Sequence, residues 1–167
     1  MTRRRTVNGM CAVAILALGF GAQSLRAVET RPILTASAAW KMVEACTARA
    51  RKEGWRMHVA VMDNSGRLKA YLAMDDAQSY SQESAIGKAR TAAMSPRSTK
   101  ERGDAAFPGG MPNASAFLPG LILVEGGIPI RAADGYHVGG IGVSGSAAGN
   151  DAICAQAGID AAKEDLR

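Results

Sequence analysis

Aromatic and histidine side chains are scarce in this chain of 167 residues. Phe, Trp and Tyr make up 5% of the sequence, so its core must consist of small aliphatic side chains and Met, which lets neighbouring elements approach closely. The histidines are His58 and His137, with no H-x-x-x-H spacing, no Cys-x-x-Cys motif and no recognisable Ser-His-Asp grouping. These absences argue against a zinc site, a thiol-redox centre and a serine hydrolase.

Cysteine is also rare, and its spacing leaves two interpretations open. Cys46 and Cys154 lie in predicted helices near opposite ends of the domain. A disulfide between them is conceivable in an oxidising compartment. We favour two buried free thiols, because free Cys is among the most buried residue types.

The N-terminal residues have the three-part pattern of a secretory signal peptide. A cationic start, "MTRRR", precedes an apolar run of about a dozen residues (10–22), which is too short to span a bilayer of about 30 Å. We expect a signal peptide over residues 1–27, a domain over 28–167, a periplasmic or secreted location and no stable membrane anchor. Removing the leader's four arginines lowers the formal charge from +5 to +1, so no basic stripe remains to indicate nucleic-acid binding.

Hydrophobic periodicity and turn residues predict an α+β domain with an antiparallel sheet, because hairpins dominate the order of elements. Gly126 and Gly127 are read as the turn of the second hairpin, and residues 107–117 as a loop with two prolines. The predicted helices are 34–54, 79–94, a short one at 98–106, and 149–166, and the five predicted strands are 56–63, 67–74, 121–127, 128–132 and 135–145.

The segment Gly140–Gly145 matches G-x-G-x-x-G, the dinucleotide-binding fingerprint. That fingerprint requires a second parallel strand ending in an acidic residue about 20 positions on. Here Glu164 and Asp165 stand at that distance within a predicted helix, so nucleotide binding is not expected. Glycines in a strand instead let a helix or a ligand approach the backbone closely, and Gly140 is therefore a candidate ligand contact.

Several collinear segments resemble a small haem-binding family: "VMDNSGRLKAYLAMDDA", "SAIGKARTAAM", "EGGIPIR" and "VGGIGVSGSAAGNDAICAQAGI". That family includes secreted haem-binding proteins, an accessory protein of glycolate-utilisation operons and the C-terminal domain of one type of corrinoid adenosyltransferase. The resemblance spans residues 34–163. It implies a five-stranded antiparallel sheet flanked by helices, profilin-like, together with homo-oligomers and haem binding, with haem degradation suggested for some members.

One position departs from the family's pattern. Where the family usually has Met-Asp-Gly-Ala after the second strand, this chain has Met74, Asp75, Asp76 and Ala77. The change adds a charge and restricts the backbone. If this loop borders a pocket, an anionic group is less welcome there.

Haem iron requires an axial donor, most often His, Met, Cys or Tyr. His137 and His58 are the candidate metal ligands, and if their strands are neighbours the two imidazoles could approach each other. The alternative is that both are ordinary strand-end histidines. Met111, in a Gly- and Pro-rich segment that is either a mobile flap or a connector, is a candidate soft ligand.

Lys88 and Arg90 are candidate cations for carboxylate groups of a ligand. The alternative, which we favour, places both on a solvated helix face. The leading hypothesis is a secreted, oligomeric protein that binds haem or a related tetrapyrrole, with redox-linked or haem-degrading activity left open. The alternative is an enzyme or accessory subunit acting on a small organic acid, and a binding protein is favoured because no catalytic set is evident.

Overall fold

The computed structural model describes residues 30–167, so the predicted signal peptide lies outside the described residues. Within that range, no helix is long and apolar enough to cross a membrane. Short 3₁₀ helices occupy Pro108–Gly110, Ala114–Phe117 and Lys163–Leu166. The helices are α1 (Ala36–Glu53), α2 (Ser81–Ala93), α3 (Thr99–Ala106) and α4 (Ala148–Ala162), and the strands are β1 (His58–Asp63), β2 (Leu68–Ala73), β3 (Gly127–Arg131) and β4 (His137–Ser144).

Side-chain caps mark the starts of α1 and α3, and a glycine marks the end of α1. The Thr35 hydroxyl accepts a hydrogen bond from the Ala38 amide at the start of α1, and Gly54 ends that helix in a left-handed conformation. Ser98 and Glu101 form a reciprocal capping box at the start of α3. The helix predictions at 34–54, 79–94 and 98–106 are therefore confirmed within a few residues at each end.

The sheet is antiparallel throughout, in the order β2-β1-β4-β3. The α+β class with an antiparallel sheet is confirmed, but the prediction of five strands is wrong, because the sheet formed by the described residues has four. The extra strand was expected at 121–127, but residues 121–126 form no strand. Gly127 begins β3 instead of forming a hairpin turn.

Segment 121–124 lies across helices α2 and α3 instead of joining the sheet. The Ile122 amide donates to Thr91 Oγ1 at 2.9 Å. The Ile122 side chain packs where a Cβ on Gly87 would stand, and the Leu123 carbonyl packs where a Cβ on Gly103 would stand. The apolar run resembles a buried strand in sequence, but its side chains pack against the helices, and the Ile122 amide bonds a side chain instead of a neighbouring strand.

The sheet separates two apolar clusters of unequal size. α1 and α4 cover one face, where Val59, Val61 and Ile141 join the main core. α2 covers the other face, where a small cluster contains Ala60, Met62 and the α2 alanines. The protein therefore has three layers, with the sheet in the middle.

Strand β4 has almost no side chains where α2 crosses it. A Cβ on Gly140 would clash with the α2 backbone at Ala93, and a Cβ on Gly142 would clash with the backbone at Ala85 and Ala89. Both glycines are buried. The glycine-rich strand was expected to let a helix or a ligand approach, and a helix occupies that space.

A disulfide joins Cys46 of α1 to Cys154 of α4. The favoured interpretation of two free thiols is therefore wrong. The two helices cross closely, since Gly158 of α4 packs against the Met42 carbonyl of α1, and the Cα atoms of the two cysteines are 4.7 Å apart. Sequence spacing does not reveal this crossing, because the cysteines are separated by 108 positions.

We expect Gly142→Ala to lower the free energy of unfolding by about 3 kcal/mol or more, because the added methyl group meets main-chain atoms that cannot rotate away. Gly149→Ala is the matched control. No atom lies within 4 Å of its added Cβ, so this helical substitution should stabilise by about 0.5–1 kcal/mol. Urea unfolding followed by circular dichroism measures both, and equal effects would contradict the packing described.

Replacing both Cys46 and Cys154 by Ala should lower the free energy of unfolding by about 2–4 kcal/mol, because the open chain gains conformational freedom. Urea unfolding of the oxidised protein and the double variant measures the difference. Peptide mapping under non-reducing conditions supplies the independent check. Recovery of the two cysteines on separate peptides with free thiols would refute the disulfide.

Candidate functional site

His58 is buried at the start of β1, with both ring nitrogens occupied. Its Nε2 lies 3.1 Å from the Gln78 carbonyl, which can only accept, so Nε2 carries the proton. Its Nδ1 therefore accepts from the Tyr71 hydroxyl at 2.7 Å. Burial, and then Glu83, raise the pKa of Tyr71 and keep it a donor. His58 has no lone pair free for a metal in this arrangement.

His137 is half-buried at the start of β4 and has one ring nitrogen unoccupied. Its Nε2 donates to the Ala92 carbonyl at 3.0 Å. That carbonyl belongs to the last turn of α2, where main-chain oxygens lack helical partners. Within residues 30–167, Nδ1 has no hydrogen-bond partner. The backbone is also held, because Asn64 Nδ2 donates to the His137 carbonyl at 2.8 Å.

The two histidines do not approach each other, so that expectation is wrong. Their strands are neighbours, as expected, but they run antiparallel. His58 pairs with Ser144 in the register, at the end of β4 opposite to His137. A site with both imidazoles on one metal is therefore excluded in this fold, and no group of three or more His, Cys, Asp or Glu that could hold a metal occurs within residues 30–167.

Lys88 lies on a buried face of α2, so the interpretation of a solvated helix face is wrong for this residue. Its Nζ donates to Asp151 Oδ2 at 2.8 Å and to the Val143 carbonyl at 3.0 Å. Both side chains of the ion pair are 3% exposed. Burial raises the pKa of Asp151, and Lys88 opposes that shift. The pair ties α2 to β4 and α4 and presents no cation to a ligand.

The remaining candidate residues differ in their exposure. Arg90 is exposed on α2, as the favoured interpretation predicted. Met111 is 72% exposed in the segment between α3 and β3. Gly140 is buried beneath α2 and offers no open main chain. Of the six predicted site residues, His137 and Met111 combine a ligating atom with exposure.

The loop that departs from the family pattern does border a cavity. Asp75 and Asp76 line a space of about 530 Å³ together with Arg51 and Arg56. Asp76 has a φ of 61°, the left-handed conformation for which glycine is better suited. The added carboxylate thus stands in a cavity that also holds two guanidinium groups.

Two further polar residues, Tyr71 and Arg102, were not among the candidates predicted from the sequence. Tyr71 completes the hydrogen bonding of His58. Arg102 lines a cavity of about 230 Å³ with Met94, Leu118, Pro119 and Leu121. Nothing in the local sequence distinguishes Arg102 from the other arginines, since its surroundings come from segments distant in the chain.

A four-stranded antiparallel sheet between helices, with one histidine ring nitrogen that makes no hydrogen bond among residues 30–167, defines a small α+β domain. A family model described as haem-degrading protein HbpS-like matches residues 34–160. The chain belongs to this HbpS-like family, and the resemblance found in its sequence is confirmed.

Three relatives illustrate the similarity. GlcG of Escherichia coli K12 is 35% identical over 119 residues, which is 70% of this chain and 85% of GlcG. The crystal structure of HbpS has a TM-score of 0.71 and 33% identity, covering 80% of this chain and 92% of that one. The PduOC–haem complex has a TM-score of 0.70 and 28% identity, covering 77% and 94%.

We expect Lys88→Met to lower the free energy of unfolding by about 3–5 kcal/mol at pH 7, because Asp151 is left buried without its cation. The pKa of the Asp151 carboxyl is raised in the folded protein, so between its unfolded and folded pKa values the folded state binds more protons than the unfolded state. Stability therefore falls as the pH rises through that range. The deficit of the variant should therefore shrink as the pH is lowered from neutral towards about 4, near the unfolded carboxyl's pKa.

Urea unfolding between pH 4 and 8 tests this expectation, with Lys41→Met as control. Lys41 makes an ion pair of the same length with Asp165, but those side chains are 48% and 43% exposed. Its loss should cost no more than about 1 kcal/mol. Similar costs for the two substitutions, or a cost independent of pH, would contradict the buried pair.

Proposed function

We propose that this protein binds haem or a related tetrapyrrole, with Nδ1 of His137 as an axial ligand of the metal. The observation that carries the proposal is the hydrogen bond from His137 Nε2 to the Ala92 carbonyl, which leaves Nδ1 unoccupied. Membership of the HbpS-like family and the similarity to a haem complex of PduOC support the same ligand.

The hydrogen bond of His137 to a main-chain carbonyl supports a role in metal binding. Such histidines almost always donate their other ring N–H to a carbonyl, a carboxylate or water, which sets the tautomer and the orientation of the ring. In this chain the Ala92 carbonyl accepts the hydrogen bond from the other ring N–H of His137. His58 fails the same test, because both of its nitrogens are used. When bound, haem supplies an iron whose properties depend on its axial donor.

The segment between α2 and β3, which follows the helix that bonds His137, exposes several large apolar side chains. Six large apolar side chains in this segment are at least 44% exposed, and side chains of this kind predominate in the linings of cofactor sites. Met111 stays a predicted second donor, through its thioether sulfur. The six residues are Met94, Phe107, Met111, Phe117, Leu118 and Val124.

We further propose that the protein is exported and forms homo-oligomers. The signal-peptide pattern of residues 1–27 and the Cys46–Cys154 disulfide support an oxidising compartment, such as the periplasm or the outside of the cell. The exposed side chains between α2 and β3 support association, because they include two Phe and two Met, and aromatic residues and Met are enriched at protein–protein interfaces.

Titration of the purified protein with haemin tests the proposal. We expect a saturable Soret band in the wild type, and a loss of affinity of at least tenfold with a changed band position in His137→Ala, because the axial donor is gone. His58→Gln is the matched control. It removes the other histidine, whose nitrogens face Tyr71 and Gln78, and should leave the band position unchanged.

Absence of a Soret shift in the wild type would refute haem binding. A band that is identical in wild type and His137→Ala would refute His137 as the ligand. Circular dichroism melts of each variant show whether a loss of binding follows from a loss of folding.

A further inference from the structure

Arg102 of α3 has a buried nitrogen without a partner. Its Nε is shielded from solvent and makes no hydrogen bond, and among residues 30–167 it is the one buried side-chain nitrogen or oxygen of this kind. A buried unpaired donor costs about 1–3 kcal/mol, more when charged, so a counter-anion on the rest of the guanidinium would be stabilising.

The acidic residues beside Arg102 are already engaged. Glu101 Oε2 accepts from the Ser98 amide at 2.7 Å and from its hydroxyl at 2.9 Å. Asp104 accepts from Lys100 Nζ at 2.7 Å. Arg102 makes no salt bridge within the described residues. The guanidinium therefore carries its charge without an internal counterion.

The cavity at Arg102 has apolar walls. It measures about 230 Å³, and its other lining residues are Met94, Leu118, Pro119 and Leu121. The close contact of Gly103 with the Leu123 carbonyl holds α3 against segment 121–124, which places Arg102 beside Leu121. The pocket thus joins one cation to four apolar side chains.

We propose that Arg102 is the binding residue of a site for a carboxylate with a short apolar chain. Because Nε is shielded from solvent, the Nη groups of the guanidinium would donate to the carboxylate, and that charge-assisted contact would offset part of the cost of the unpaired Nε. The apolar walls suit the attached carbon chain, and the volume of about 230 Å³ favours a short one. This site does not depend on haem binding.

The carboxylate at Arg102 could belong to a propionate of the tetrapyrrole or to a separate small organic acid. Met94, which lines the pocket, is two residues from Ala92, the partner of His137. A propionate of the proposed tetrapyrrole would therefore come from a neighbouring site, whereas a small organic acid would bind by itself. The chemistry at Arg102 is the same in either case.

The first experiment titrates the full chain with sodium butyrate and follows the arginine Nε–H signals by ¹H–¹⁵N spectroscopy. The Arg102 signal is assigned by its loss in Arg102→Met. We expect that signal to shift saturably in the wild type, and Arg102→Met to weaken binding ten- to a hundredfold by calorimetry, as charge-assisted hydrogen bonds are lost. Affinity should rise up to about fourfold per methylene from acetate to butyrate.

Arg90→Met is the matched control, because it removes an exposed guanidinium that lines no described apolar cavity. Its affinity for butyrate should equal that of the wild type. An Arg102 signal that does not respond to butyrate or haemin would overturn the site. Equal weakening in both variants would also overturn it, since general charge attraction would then explain the binding.

The second experiment compares haemin with its dimethyl ester in wild type and Arg102→Met. If a propionate occupies the site, esterification weakens binding in the wild type but not in the variant, and butyrate competes with haemin. If a separate acid occupies it, butyrate binds without displacing haemin. Both results support a carboxylate site at Arg102, and they distinguish a haem propionate from a separate acid as its source. If haemin does not bind at all, the butyrate titration still tests the site.

Discussion

The direct contact between α2 and the backbone of strand β4 is the constraint on which the rest of the structure depends. Glycine at 140 and 142 removes the side chains that would separate helix from sheet, and the small residues of α2 take up the space. The helix is thereby fixed in height and position over the sheet. Both the buried ion pair and the histidine site follow from that placement.

Two polar interactions depend directly on how closely α2 lies against the sheet. Lys88 reaches the Val143 carbonyl and Asp151 from the buried side of the helix. At the other end, the Ala92 carbonyl meets His137 Nε2. The contacts of Lys88 neutralise a buried charge, and the contact of His137 gives a partner to a main-chain oxygen at the end of the helix. A helix raised by even one methyl group would disturb both.

Much of the fold was accessible from sequence because it follows from local patterns. Period 3.6 identifies α1 and α2, and alternation with an Asn-Ser-Gly turn identifies the β1–β2 hairpin. The strand predicted at 121–127 was misassigned because the partner of the Ile122 amide, Thr91, is a side chain about thirty positions away. The disulfide was missed for a related reason, since it depends on how α1 crosses α4.

The candidate site was accessible only in part. His137 could be named because histidines are few, yet its hydrogen bond to Ala92 spans 45 positions. The burial of Lys88 requires Asp151, 63 positions further on. Arg102 lacks an acidic partner because Glu101 bonds Ser98 and Asp104 bonds Lys100. The local sequence does not reveal those pairings.

The central claim is that α2 fixes the Nε2–H tautomer of His137 and leaves Nδ1 for a metal. Long-range ¹H–¹⁵N spectra of the histidine side chains, recorded with and without diamagnetic zinc protoporphyrin, test it most directly. The account predicts a protonated Nε2 in both states and a coordination shift at Nδ1 when the porphyrin is present. An unchanged Nδ1 resonance, or a proton on Nδ1 in the free protein, would contradict it.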